Sequence, residues 1–338
     1  MRQVVGVGVL GAGTVGSALI GRLVDDQATI GSRLGLDLAV RRIAVKHISK
    51  ERPFDLPGLV TDQAESVVTD PDIDVVVEAI GGVEPAGDLL MAAITAGKPV
   101  ITANKELVAT RGAEILDASK SAGVPFLYEA AVGGGIPIIR ALVESLSNER
   151  IDRLTGVLNG TTNYILSSMA AHGSSLESAL QSATRLGYAE PDPSDDLSGR
   201  DTAFKMSILA RVALGARVPP WEISTKGIAE ITAADIDRAA AQDQVLKLVG
   251  RAEKTSEGVQ VSVGPELLDH DHPLASIGGV TNAVMVEGPA IGQLIFSGPG
   301  AGGDATASAL IGDLVHAMSR PRVRPLAGRR PPRMLLHR

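Results

Sequence analysis

A chain of 338 residues, 44% of them hydrophobic and 21% charged, with a mean hydropathy of +0.17, exceeds one common core and is expected to form two substructures. The absence of cysteine excludes disulfides, thiol nucleophiles and thiolate metal sites, which leaves lysine, carboxylate, hydroxyl or a cofactor to carry any chemistry. The net charge is −7 although the stretch from Ser319 onward holds seven arginines and no acid, so the body is acidic and nucleic acid is not the expected partner. No apolar run reaches the length of a membrane span and the N-terminus enters a strand-like run without a cleavable signal, so a cytoplasmic protein is expected.

The first 135 residues alternate apolar runs with amphipathic ones, the pattern of βα units. Strands are expected at 4–10, 38–47, 73–80, 99–103 and 125–128, and helices at 15–25, 85–96 and 111–122. Near-continuous Val/Ile strands with short connections indicate a parallel sheet covered on both faces. The first βα turn, LGAGTVGSAL, sets Gly11, Gly13 and Gly16 as GxGxxG directly after a strand and at the head of a helix. In that context the first glycine permits the turn, the second admits a pyrophosphate and the third lets the helix pack closely. Thr14 and Val15 then lie beside the helix N-terminus that stabilises the anion. The element pattern and this turn together predict an α/β chain with a Rossmann-type, doubly wound parallel sheet and NAD or NADP as cofactor. After the second strand the chain reads VKHISKER, with Lys46, Lys50 and Arg52 and no acid before Glu51, which favours NADP unless the turn is simply a solvated basic one. Ile80 and Gly81, then Thr102, Ala103 and Lys105, fall at the carboxyl ends of later strands, where ligands of such sheets bind.

Beyond the glycines 133–135 the pattern becomes mixed α+β. Helices are expected at 137–146, 162–171, 175–186, 201–214 and 233–251, strands at 151–158, 259–265 and 283–288, and a final helix at 306–318 that returns to the first substructure. The division expected is 1–135 and 305–320 for the cofactor, 136–304 for the substrate, and an arginine- and proline-rich tail at 321–338. His270 and His272 read as a solvated turn before Pro273, and Tyr188 and Trp221 as packing residues. Asp74 and Glu78 have no strong reading.

The segment GYAEPDPSDDLSGRDTAFK, residues 187–205, packs seven charged side chains and two prolines ahead of an apolar helix. Asp201 and Lys205, four residues apart, share a stripe with Ile208 and Val212, while Ser207 and Arg211 point elsewhere. An exposed pair of this kind contributes only about 0.3–0.5 kcal/mol. On a stripe that continues as core, a charged pair needs something polar to bind there.

GAGTVG, TANKELVA, EAAVGGGIP, NGTTNYIL, GYAEPDPSDDLSGRDTAFK and GPGAGGDATASALIGD occur in one order over most of the first 318 residues, and together they resemble the homoserine dehydrogenase family. The resemblance implies NAD(P)-dependent interconversion of L-homoserine and L-aspartate 4-semialdehyde, which feeds threonine, methionine and isoleucine synthesis. It further implies a homodimer, with the mixed domain serving both catalysis and dimerisation. By position, Lys205 would exchange the proton with Asp201 as partner, and Lys105 would be the second active-site lysine. Glu190 would bind the substrate's amino group with Asp195 nearby, Gly160 and Thr161 would line the pocket, and Gly302 would close over the cofactor. A sodium or potassium ion would be held by the Glu129 side chain and main-chain oxygens of Val132, Gly134 and Ile136. Many bacterial relatives continue into a threonine-sensing domain; here an arginine-proline stretch follows the last helix, so strong threonine feedback is not expected. The readings left open are an oxidoreductase of another amino-acid semialdehyde and a dinucleotide-binding sensor or inactive relative.

Overall fold

The computed structural model describes residues 3–319; the expected tail at 321–338 lies outside them. The first sheet holds six strands, all parallel: β1 (Gln3–Leu10), β2 (Leu36–Ala44), β3 (Val60–Thr61), β4 (Val75–Glu78), β5 (Val100–Thr102) and β6 (Phe126–Leu127). Between them run α1 (Thr14–Asp25), α2 (Gln27–Leu34), α3 (Ala64–Thr69), α4 (Ala86–Thr95) and α5 (Lys105–Ala122). The strand order β3-β2-β1-β4-β5-β6 reverses direction between β1 and β4, so the loops after those two strands open the crevice where an open α/β sheet binds ligands. The apolar strand runs form because both faces are covered: Val5, Val7, Val9, Val75, Val76 and Val77 are all buried. Two short helices, α2 and α3, and the two-residue β3 escaped the periodicity reading, being too brief to show a face. Helix α5 starts six residues earlier than expected, because Asn104 caps it by accepting from Leu107 N at 3.0 Å.

The second sheet is mixed, in the order β12-β11-β7-β9-β10-β8. Its strands are β7 (Arg153–Val157), β8 (Ser224–Thr225), β9 (Gln244–Thr255), β10 (Gly258–Asp269), β11 (Thr281–Gly288) and β12 (Gly292–Pro299). The helices here are α6 (Ile138–Arg140), continued by a π-helical turn, then α7 (Gly160–His172), α8 (Leu176–Arg185), α9 (Ser194–Leu197), α10 (Arg200–Leu214), α11 (Ala233–Ala241) and α12 (Gly303–Ser319). The chain is thus an α/β protein with a parallel, Rossmann-like sheet and a mixed α+β part.

Three expectations need correction. The helix expected at 233–251 stops at Ala241, and after Asp243, whose φ is +57°, the chain becomes β9. Residues 246–250 are buried on both faces between β7 and β10, so no alternation marks them as strand. The single buried stripe expected on α10 is in fact a helix buried all round from Asp201 to Ala210. Ser207 is buried and donates to Val218 O at 2.6 Å, while Arg211 Nη1 reaches Val108 O on α5 at 3.0 Å. Trp221 and Tyr188 are not core residues: Trp221 is largely exposed, and the half-exposed Tyr188 ring meets Tyr164 at 5.2 Å.

Helix α12 carries the chain back to the first sheet. Its Leu310 and Leu314 are fully buried in the cluster that contains Leu19, Ile20 and Leu23 of α1. Replacing Leu310 by alanine is therefore expected to lower stability by about 2–5 kcal/mol, measured as a reduced urea unfolding midpoint.

Candidate active site

Two lysines from different parts of the chain meet on one carboxylate. Lys205 Nζ lies 2.7 Å from Asp201 Oδ2, and Lys105 Nζ lies 3.0 Å from Asp201 Oδ1. Asp201 comes from the first turn of α10, whereas Lys105 opens α5 directly after β5. Asn159 donates from Nδ2 to Asp201 Oδ2 at 2.8 Å and to Asp196 Oδ1 at 2.6 Å, while its own Oδ1 caps α7 by accepting from Thr162 N. Lys205 Nζ also donates to Leu158 O at 2.7 Å. The Asp201 side chain is 7% exposed and that of Lys205 10%, but Lys105 is 41% exposed and so is open to a ligand.

The charges follow from this packing. Burial opposes ionisation of Asp201, yet Lys205 and Lys105 beside it, with the bonds from Lys205 and Asn159, hold its carboxyl well below the usual range. Burial likewise opposes the charge on Lys105, but Asp201 outweighs it and raises the ammonium above its ordinary value. Asp201 is therefore an anion beside a charged Lys105, with Lys205 bonded to its other oxygen, an arrangement suited to binding an oxygen that gains negative charge.

The cofactor end lies beside this triad. Gly11 has φ +96°, and a Cβ there would fall 2.4 Å from Ala79 O; at Gly16 it would fall 2.1 Å from Gly11 O. At Gly13 nothing stands within 4 Å, and α1 has no side-chain cap, so its first N–H groups, near Thr14 and Val15, face open space. Lys46 is exposed just beyond β2, whereas Arg52 donates to the carbonyls of His47, Ile48 and Lys50 and so braces its own turn. Gly302, φ +105°, precedes α12, where Gly303 packs against Thr14 and Ala18.

Glu78, which with Asp74 has no strong reading from sequence, takes a definite place here. It is fully buried, and its Oε1 accepts from Ile80 N at 2.6 Å and Gly81 N at 3.1 Å while Thr102 donates its hydroxyl to Oε2. Asn104 ties the same loop down by donating to Gly82 O at 2.6 Å. Burial raises the Glu78 carboxyl despite those bonds. Its only sequence signal was an acid at the end of a wholly apolar strand. Thr102 and Ala103 thus sit at the expected sheet edge beside Ile80 and Gly81.

On the substrate side, Thr161 Oγ1 donates to Tyr188 O at 2.7 Å, which fixes the segment leading to the exposed Glu190. Gly160 packs on Val280 O. Asp195 faces outward to Arg200 at 3.5 Å, and the neighbouring Asp196 is the acid that reaches Asn159. In the segment 129–137 that joins the first sheet to the second part, here termed the hinge, Glu129 is buried and accepts from Ile139 N and Arg140 N, both at 2.8 Å, while its own N–H donates to Asp313. Burial pushes its carboxyl up to about 7. Val132 and Ile136 are buried on the same turn, and Gly134 packs directly on Gly300. Among the described residues no group of three or more His, Cys, Asp or Glu is placed to hold a metal ion.

Comparison with known proteins supplies the family. Residues 137–315 match the family model "Homoserine dehydrogenase", and residues 11–129 match "Homoserine dehydrogenase, NAD binding domain". A homoserine dehydrogenase of Synechocystis sp. is 45% identical over 92% of this chain and 72% of its own length. The crystal structure of a homoserine dehydrogenase from Thiobacillus denitrificans superposes with TM-score 0.89 at 42% identity, covering 94% of this chain and 74% of that one. A hyperthermophilic archaeal homoserine dehydrogenase in complex with NADPH matches with TM-score 0.78 at 28% identity, over 95% of this chain and all of that one.

Asp201→Asn would leave two ammonium groups facing each other, with a loss of about 3 kcal/mol at neutral pH. Because the folded carboxyl titrates below its unfolded value, its contribution is complete above the ordinary carboxylate range and fades as pH falls below about 4. Chemical unfolding of both proteins across pH should show the gap closing in acid.

Proposed function

The chain belongs to the homoserine dehydrogenase family, and from that premise we propose that Lys205 moves the proton and Lys105 holds charge during reversible NAD(P)H-dependent reduction of L-aspartate 4-semialdehyde to L-homoserine. The observation that carries this reading is the Asp201 carboxylate shared by both lysines. Asp201 keeps the Lys105 ammonium charged, which suits Lys105 to stabilise developing negative charge on the carbonyl oxygen. Lys205, braced between Asp201 Oδ2 and Leu158 O, has a third ammonium hydrogen to give to that oxygen as it becomes the alcohol. In the reverse direction the same group takes the proton back. Glu190 binds the substrate's amino group at the mouth of the site, with Asp195 contributing negative potential, and Gly160 and Thr161 shape the wall below.

The residues present fit a dinucleotide. When bound, the nicotinamide group supplies or accepts the hydride. Gly11, Gly13, Thr14, Val15 and Gly16 would hold the pyrophosphate at the open head of α1. Ile80, Gly81, Thr102 and Ala103 would line the nicotinamide side, and Gly302 would close over it. Exposed Lys46 at the end of β2, with no acid beside it, favours NADP over NAD.

A sodium or potassium ion held by Glu129 and by main-chain oxygens of Val132, Gly134 and Ile136 would stiffen the hinge. Each Glu129 oxygen keeps a lone pair beyond its bond to Ile139 or Arg140, and a cation would return the raised carboxyl to its ionised form. Residues 1–135 with 305–320 form the cofactor domain in this reading, and 136–304 the substrate and dimerisation domain. A homodimer formed through this second domain completes the reading. No described helix is long and apolar enough to cross a membrane, and a cytoplasmic enzyme of threonine, methionine and isoleucine synthesis is the setting that this activity implies.

Assays with aspartate semialdehyde and each reduced cofactor test the reading. Lys205→Ala should lose about 100-fold or more in turnover while NADPH affinity stays near normal, and full activity in that variant would sink the assignment. Lys46→Glu should raise the KM for NADPH about tenfold and leave that for NADH nearly unchanged.

A further inference from the structure

Asn282, near the start of β11, is 1% exposed and touches both halves of the proposed chemistry. Its Nδ2 donates at 2.8 Å to Leu158 O, the same carbonyl oxygen that accepts from Lys205 Nζ. Its Oδ1 is buried without a hydrogen-bond partner. The amide cannot be turned over to cure this, because its oxygen would then face the Leu158 oxygen. A buried amide oxygen left unpaired is costly, so packing alone would be better served by an apolar side chain.

The amide lies flat against Gly300. A Cβ on that glycine would fall 1.9 Å from Nδ2 and 2.5 Å from Oδ1. On the hinge side Gly134 is equally close, since a Cβ there would fall 2.7 Å from the Gly300 carbonyl carbon. Gly300 leads through Ala301 to Gly302 and then to Gly303, which packs on Thr14 at the head of α1. The loop at the dinucleotide pocket therefore rests on one face of an amide whose edge holds the carbonyl that anchors Lys205.

We propose that Asn282 is a positioning residue that couples the loop Gly300, Ala301 and Gly302 to Lys205. The loop sets the plane of the amide, the amide sets Leu158 O, and Leu158 O sets the ammonium that moves the proton. The inference rests on Lys205 as the proton-transfer group.

The test is kinetic, using the whole protein and NADPH: Asn282→Ala, Gly300→Ala and the double variant, with kcat at saturating NADPH and the NADPH Kd measured separately. In Asn282→Ala, kcat should fall about tenfold with Kd within about twofold, a smaller loss than the hundredfold that a misplacement of about 1 Å can cause. Gly300→Ala forces its new methyl into the amide and should also lower kcat. The double variant should be faster than Gly300→Ala alone, because the methyl then occupies the space the amide has left. Unchanged kcat in Asn282→Ala, or losses that simply multiply in the double variant, would overturn the proposal. If an alanine variant does not fold, Asn282→Asp keeps the volume while replacing the donor to Leu158 O with an acceptor; reduced kcat supports the coupling and unchanged kcat refutes it. Lys205→Ala in the same series separates the two ideas. Turnover surviving there removes the Lys205 assignment, whereas turnover lost there with Asn282→Ala unaffected removes only the coupling.

Discussion

A carboxylate with two oxygens can hold two ammonium groups only if both are brought to it, and the geometry around Asp201 depends on that constraint. One lysine is local, a helical turn away on α10, and needs only the helix to form. The other starts a helix that follows β5, nearly a hundred residues earlier in the chain, and reaches Asp201 only when α5 lies against α10. Arg211, which crosses from α10 to Val108 O, braces the same contact ten residues further along α10. The helix carrying Asp201 is buried on every side, so the ion pairs are held by packing as well as by charge.

Burial makes this arrangement selective about its contents. A buried carboxylate alone would be driven to its neutral form, and a buried lysine alone would lose its proton. Held together, the lysines keep Asp201 ionised and Asp201 keeps Lys105 charged, while the partial exposure of Lys105 leaves one side of the cluster open. The hinge uses the opposite balance. Glu129 and Asp313 are both raised by burial, with backbone N–H groups and Arg140 offsetting only part of that cost.

Backbone contact does as much positioning as charge. Gly11 and Gly16 let the first turn approach β4 and α1 so closely that no side chain fits, while Gly13 stays open where a ligand would lie. Gly134, Gly300 and the Asn282 amide stack in the same way between the hinge and the second sheet. The two glycine-rich segments of the chain therefore do different work: one closes a tight turn that stays open at Gly13, the other lets the hinge and a loop press against a polar side chain.

Much of this was legible in the residues themselves. The parallel sheet was readable because strands covered on both faces must be continuously apolar, and the cofactor turn because its glycines sit between a strand and a helix. Asp201 and Lys205 could be paired because helical spacing is local. Residues 244–251 read as helix because a central strand buried on both faces lacks the alternation that would mark it, and α10 looks one-sided because a sequence does not reveal what covers a second face. Asn159, Asp196 and Asn282 had no local signature, since each meets a partner far along the chain, and Glu78 had only that of an acid closing an apolar strand. The sequence by itself determined the types of element, the cofactor turn and the stock of reactive groups, for these depend on spacings of a few residues. Only the tertiary structure decided that Lys105 shares Asp201 with Lys205, that Asp196 rather than Asp195 turns inward, and that an amide on β11 meets the loop before α12. Those contacts are set by how sheets and helices pack, which local spacing does not encode.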